Sequence, residues 1–205
     1  MRTPTETGRG RIALSLGLLL VAHAALGQEP DTAWIDEDRL SNHEIQFNFG
    51  EDLRFRGRVQ AAVAVEATPK QIWAILRDCE SAPEYLENVE SCEMVETLDG
   101  GRSEVFRQRA KLRWFLPSFE HEFRLDYEPY QRITVSRVSG PLKRLDALWW
   151  LIPETSTRTR VVYRLDLDAG LLVPKFLLAA PLRRDVLNAL RSVRERAERA
   201  RAPAR

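Results

Sequence analysis

The chain has 205 residues, of which 44% are hydrophobic and 30% charged. That balance belongs to an ordinary globular domain and excludes a disordered or fibrous chain. Its 31 basic and 30 acidic residues leave a formal net charge of +1, so no global field is available to hold a nucleic acid.

Residues 1–27 read as a secretory signal peptide. Arg2, Arg9 and Arg11 form a basic start, and Ile12 to Leu26 is almost wholly apolar. Ala25 and Gly27 place small residues three before and one before a cut at Gln28. The apolar run is about 15 residues, short of the roughly 20 that span a bilayer. An uncleaved N-terminal anchor is the alternative. Export places the mature protein in the periplasm or outside the cell. In that oxidising setting Cys79 and Cys92, the only two cysteines, are a disulfide candidate, with two buried free thiols as the alternative. Their spacing is not that of a metal-ligand pair, and no cofactor motif is present.

Residues 28–50 are polar and irregular and read as an arm or linker before a domain over 51–203. Val59, Ala61, Val63 and Val65 alternate as a strand. Thr68-Pro69-Lys70-Gln71 is a helix start, with a capping box and proline at the first position. Ile72, Trp73, Ile75 and Leu76 form the apolar stripe of that short helix, and Pro83 opens a second one. Strands follow over 89–98 and 104–115, joined by Asp99-Gly100-Gly101, a hairpin signal. The second carries Phe106, Gln108, Ala110, Leu112 and Trp114 on one face and Arg107, Arg109, Lys111 and Arg113 on the other. Over 119–127, Phe119, His121, Phe123, Leu125 and Tyr127 share a face, with Glu120, Glu122, Arg124 and Asp126 opposite. The basic and acidic outer faces predict antiparallel neighbours with cross-strand charge pairs. Further strands are read over 132–138, 145–152 and 158–168. A long amphipathic helix then runs over about 175–202, with Leu182, Val186, Leu190, Val193 and Ala197 on its apolar face.

One strand, two short helices, about six more antiparallel strands and one long helix make an α+β chain. A strongly bent sheet of about seven strands wrapped around the C-terminal helix is the economical arrangement. Val65-Glu66-Ala67-Thr68-Pro69-Lys70-Gln71-Ile72-Trp73, then Leu76-Arg77-Asp78, Pro83-Glu84-Tyr85-Leu86 and Val89, resemble the opening of the START-like superfamily. That superfamily (SRPBCC) also holds the polyketide cyclase/dehydrase and coenzyme-Q-binding families. Trp149, Leu151, Pro153, Thr159, Val161, Tyr163, Gly170, Leu172 and Pro174 resemble its later elements. The resemblance spans about residues 53–200. It implies a helix-grip fold with a hydrophobic cavity between sheet and final helix, and it does not fix one function.

The cavity candidates are Trp73, Tyr85, Phe106, Gln108, Trp114, His121, Phe123, Trp149 and Tyr163. Gln108 and His121 stand out because they break an apolar register, and a buried polar group needs a partner. They read as a polar anchor for a ligand or as core groups bonded to backbone. Trp150, next to Trp149, reads either as part of an exposed patch with Leu171, Leu172 and Val173 or as packed under the final helix. Arg191, Arg194, Arg196, Arg199, Arg201 and Arg205 read as a solvated helix face, with transient membrane contact as the alternative. The expected function is binding of a lipid, quinone or other hydrophobic small molecule, without catalysis. A cyclase/dehydratase using the same cavity and an interaction module of a cell-envelope complex are the alternatives.

Overall fold

A computed structural model describes residues 29–49, 57–111, 117–168 and 179–201. The signal-peptide reading, Trp114 and the segment 171–173 lie outside these residues. The elements are α1 (Glu37–Ser41), β1 (Gln46–Phe49), β2 (Gly57–Val65), α2 (Pro69–Arg77), a 3-10 turn (Ala82–Glu84), β3 (Val89–Leu98), β4 (Ser103–Ala110), β5 (Phe119–Glu128), β6 (Arg132–Ser139), β7 (Arg144–Pro153), β8 (Thr159–Asp168) and α3 (Ala179–Arg201). The strands form one open antiparallel sheet in the order β1-β2-β8-β7-β6-β5-β4-β3. It has eight strands, one more than the sequence suggests, because the arm supplies β1.

Local chemistry sets the boundaries. The Thr68 side chain accepts from the Gln71 amide at 3.4 Å, and the Gln71 side chain accepts from the Thr68 amide at 2.9 Å. This reciprocal cap starts α2. Asp99, Gly100 and Gly101 all have positive φ, and the hairpin between β3 and β4 turns there. β4 pairs with β5 so that Arg107 faces Glu122 and Arg109 faces Glu120. Arg107 bonds Glu122 at 2.9 Å, whereas Arg109 reaches across β3 to Glu90, also at 2.9 Å. The charge pattern therefore fixes the register through some pairs and the sheet edge through others.

α3 lies on the inner face of the sheet. Leu182, Val186, Leu190, Val193 and Ala197 are buried along it and join one core with Val59, Val63, Val161, Leu165 and Ile133. The outer face carries a second, smaller core: Ile35 and Leu40 pack on Ala62, Ala64, Val162 and Trp150. The segment read as an arm is thus a folded layer. The Asp36 side chain caps α1 by accepting from the Asp38 and Arg39 amides. The Gln46 side chain accepts from the Asp36 amide at 2.9 Å and donates to its carbonyl at 2.7 Å. Arg160 on β8 holds Glu37 through two bonds, at 2.9 and 2.6 Å.

Trp150, only 6% exposed, therefore sits beneath the N-terminal layer. It is neither an exposed patch nor a residue under the final helix. The arginines of α3 are not simply solvated either. Arg194 donates to the His43 carbonyl at 2.7 Å, and Arg196 pairs with Asp78 and Glu84 at 3.7 and 3.5 Å. The arginine at 205 lies outside the described residues.

Leu40 is 1% exposed. Leu40→Ala is expected to cost about 2–5 kcal/mol in urea unfolding, as for a core leucine. A loss below about 0.5 kcal/mol, the size of a surface effect, would mean that the N-terminal layer is not part of the cooperative fold.

Candidate functional site

The inner face of the sheet alternates large and small residues. On β7 the inward register runs Leu145, Ala147, Trp149, and on α3 Ala189 lies between Val186 and Val193. Alanines at facing positions leave space that leucines would fill. A cavity of about 240 Å³ opens there, walled by Leu76, Tyr85, Phe123, Leu125, Trp149 and Val193 among others. A second lobe of about 210 Å³ is walled by Phe119, Leu142, Leu165, Leu182 and Val186. The lobes share Leu86, Gln108, His121, Leu145, Tyr163 and Ala189, which form a waist between them.

The waist holds the polar groups. Gln108 on β4 and His121 on β5 are register partners. Gln108 Nε2 donates to Cys92 Sγ at 3.8 Å, a weak bond. His121 is 5% exposed and stands between the rings of Phe119 and Phe123, at centroid distances of 5.4 and 5.6 Å. Its Nδ1 is buried without a hydrogen-bond partner. Burial pushes its pKa down to about 4, so the ring is neutral at neutral pH. Gly140 crosses the His121 backbone so closely that a Cβ would stand 2.6 Å from His121 Cβ. With φ at 107°, that position suits glycine alone.

Tyr163 packs against Trp149 in a tilted ring pair with centroids 4.1 Å apart. Protein surrounds it and raises its pKa by burial; the surface it retains faces the two lobes. Charged residues line one lobe each: Asp78 the first, Lys111 and Asp185 the second.

The first lobe is closed by the segment after α2. Cys79 and Cys92 are joined in a disulfide with Cα atoms 5.5 Å apart, an ordinary separation. The bridge ties the end of α2 to β3, and closing so short a loop is worth about 3 kcal/mol. Tyr85 is held from above. Ser192 Oγ donates to its carbonyl at 3.2 Å, and the Arg196 guanidinium lies 4.4 Å over its ring. Its hydroxyl pKa is raised, chiefly by burial.

Tyr85, Gln108, His121, Phe123, Trp149 and Tyr163 line one space. Trp73 and Phe106 do not join them. They line a separate open groove of about 540 Å³ with Arg77, Met94, Glu104 and Tyr130. There Trp73 packs on Tyr127 and Tyr130 at 5.4 and 5.7 Å, and buried Glu104 accepts from both Arg77 and the Tyr127 hydroxyl. Cys79 borders both spaces. Sequence reasoning missed Leu145, Ala147 and Ala189. The available signal was the alanine in each otherwise bulky inward register.

The buried histidine sets a pH dependence. The unfolded chain protonates His121 near its ordinary 6.5, and the folded chain only near 4. The folded pKa lies below the unfolded one, so this contribution is complete above about pH 6.5 and fades as pH falls toward 4, by about 3 kcal/mol in all. Glu90, held down to about 2 first by the Lys111 and Ser118 hydrogen bonds, loses its contribution only below its ordinary 4.5. Urea unfolding between about pH 7 and 5 should therefore show a stability slope that His121→Phe flattens; an unchanged slope would contradict a neutral, enclosed His121.

The model of the family "Polyketide cyclase / dehydrase and lipid transport" matches residues 65–194. No curated protein sequence is significantly similar to the chain. Among solved structures, the chain is similar to the Zhui aromatase/cyclase from Streptomyces sp. R1128, at 21% identity and TM-score 0.63, over 72% of this chain and 97% of that one. It is similar to the STAR-related lipid transfer protein from Xanthomonas axonopodis, at 14% identity and TM-score 0.61, over 74% and 98%. It is also similar to the human StarD13 lipid transfer and protein localization domain, at 16% identity and TM-score 0.63, over 78% and 86%. At these identities the structural likenesses establish a common fold. With the family model covering more than half its length, the chain belongs to the polyketide cyclase/dehydrase and lipid transport family.

Proposed function

We propose that this protein is an exported carrier or sensor that holds a lipid, quinone or similar apolar molecule between its sheet and α3. The observation that carries the reading is the two-lobed cavity, whose walls are largely apolar and whose shared waist carries the uncharged polar groups Gln108, His121 and Tyr163. Binding sites for small molecules have this composition, with a few placed polar groups to orient the ligand. The STAR-related lipid transfer protein shares the fold. Export is supported by the layout of residues 1–27 and is compatible with the disulfide. Among the described residues no helix is long and apolar enough to cross a membrane.

A cyclase/dehydratase reading has one observation in its favour, the perturbed His121 inside the cavity. A general base needs a group that orients it, and no described residue bonds His121 Nδ1. The carrier reading accounts for the site with fewer demands.

The full chain, residues 1–27 included, should be expressed in a Gram-negative host and recovered from the periplasmic fraction with Gln28 as its first residue. Native mass spectrometry should then show one apolar molecule per chain, extractable with organic solvent. Retention in the cytosol would overturn export. A protein that carries nothing and takes up neither lipid nor quinone would overturn the carrier reading.

A further inference from the structure

We propose that Gln108, His121 and Tyr163 form a neutral polar collar that receives an uncharged oxygen, a carbonyl or hydroxyl, set in the middle of an elongated apolar ligand. The inference deepens the carrier reading above and rests on it.

Three observations converge on the waist. The first is the unmet hydrogen-bonding capacity. His121 is 5% exposed and its Nδ1 has no partner. Gln108 has only its weak bond to Cys92 Sγ, and the Tyr163 hydroxyl has no hydrogen bond among the described residues. A buried polar group without a partner costs about 1–3 kcal/mol, and of the three the fully buried unpartnered atom is His121 Nδ1, so an oxygen that satisfies the imidazole removes a cost already present in the fold. The imidazole lines both lobes.

The second is electrical. The waist has hydrogen-bonding groups and no charge: the imidazole is held neutral by burial, and the other two groups are an amide and a phenol. A carboxylate or phosphate there would lose its hydration and meet no cation. The charged residues Asp78, Lys111 and Asp185 each line one lobe and are not among the residues the lobes share.

The third is position. Apolar space extends on both sides of the collar, about 240 Å³ on one and 210 Å³ on the other. A ligand with its polar atom at one end would fill one lobe and leave the second without contacts. A ligand with two apolar arms fills both.

The isomers dihexyl ketone and methyl undecyl ketone separate this from simple apolar uptake. They share a formula and differ in where the oxygen sits, and tridecane serves as the chain of equal length without oxygen. Calorimetric titration of the full-length protein, as processed on export, should show dihexyl ketone binding about tenfold more tightly than methyl undecyl ketone, the size of one buried hydrogen bond. The ratio should fall to near one in Tyr163→Phe, which removes one oxygen and keeps the ring, and in His121→Leu. In wild-type protein carrying ¹⁵N-labelled histidine, dihexyl ketone should move the His121 ring nitrogen resonances, and tridecane should not. Equal binding of the two ketones, a ratio that survives both substitutions, or unmoved nitrogen resonances would overturn the collar while leaving the carrier reading intact. Failure of all three probes to bind would overturn the carrier reading, and the collar with it.

Discussion

One amphipathic helix faces the inner surface of an eight-stranded sheet, and most of the structure follows from that mismatch. α3 offers Leu182, Val186, Leu190, Val193 and Ala197, a single stripe. A flat sheet would leave most of its apolar inner face in water, at about 25 cal/mol per Å². Wrapping the sheet around the helix solves this for β2, which packs into the shared core through Val59 and Val63. Between the helix and β4–β8 the side chains do not close the space. The cavity is thus a consequence of covering a wide sheet with one helix, and the alanines at 147 and 189 keep it open.

The same constraint applies to the outer face, and the solution there is different. Ala62, Ala64, Trp150 and Val162 present a small apolar patch that a short N-terminal layer covers. Most of this layer was invisible in the sequence. Its apolar content is a few residues, Trp34, Ile35 and Leu40, set among charges, and five residues of helix have no stability of their own. What holds α1 is tertiary: the bidentate Gln46–Asp36 contact and the Arg160–Glu37 pair. No periodicity announces contacts between residues more than a hundred positions apart. The central strands were legible for the opposite reason. β5 alternates strictly, and the burial of His121, Leu125 and Tyr127 on one face repeats the pattern that defines it.

Legibility of the site follows the same rule. Alternation says which face a side chain takes, not where along the strand the cavity lies. Phe106 and Gln108 share a face of β4, two residues apart. One borders the outer groove and the other the waist, and the Cys79–Cys92 bridge marks the division between them. Trp73 likewise points inward from α2 yet packs on Tyr127 and Tyr130. Gln108 and His121 were found because a polar residue in an apolar register is anomalous wherever it falls. Their direct pairing across β4 and β5 required the register, which the basic and acidic outer faces helped to set.

That anomaly also bears on why the site persists. An enclosed histidine with an unbonded nitrogen lowers stability, and a phenylalanine in its place would stack as well between Phe119 and Phe123. The surroundings nevertheless hold it in place. Gly140 accepts a φ of 107° so that the backbone can pass against His121, and both neighbours on β5 are aromatic. A group that weakens the fold while its neighbours are arranged around it is the pattern expected of a functional position, where local stability yields to a requirement of binding. Among the described residues of the cavity wall, His121 alone carries a fully buried polar atom without a partner. Tyr85, Phe123 and Trp149 are apolar surfaces whose burial serves folding and binding alike. The contrast separates wall residues whose burial serves packing from the polar residues of the waist, and the proposed collar draws on the second group.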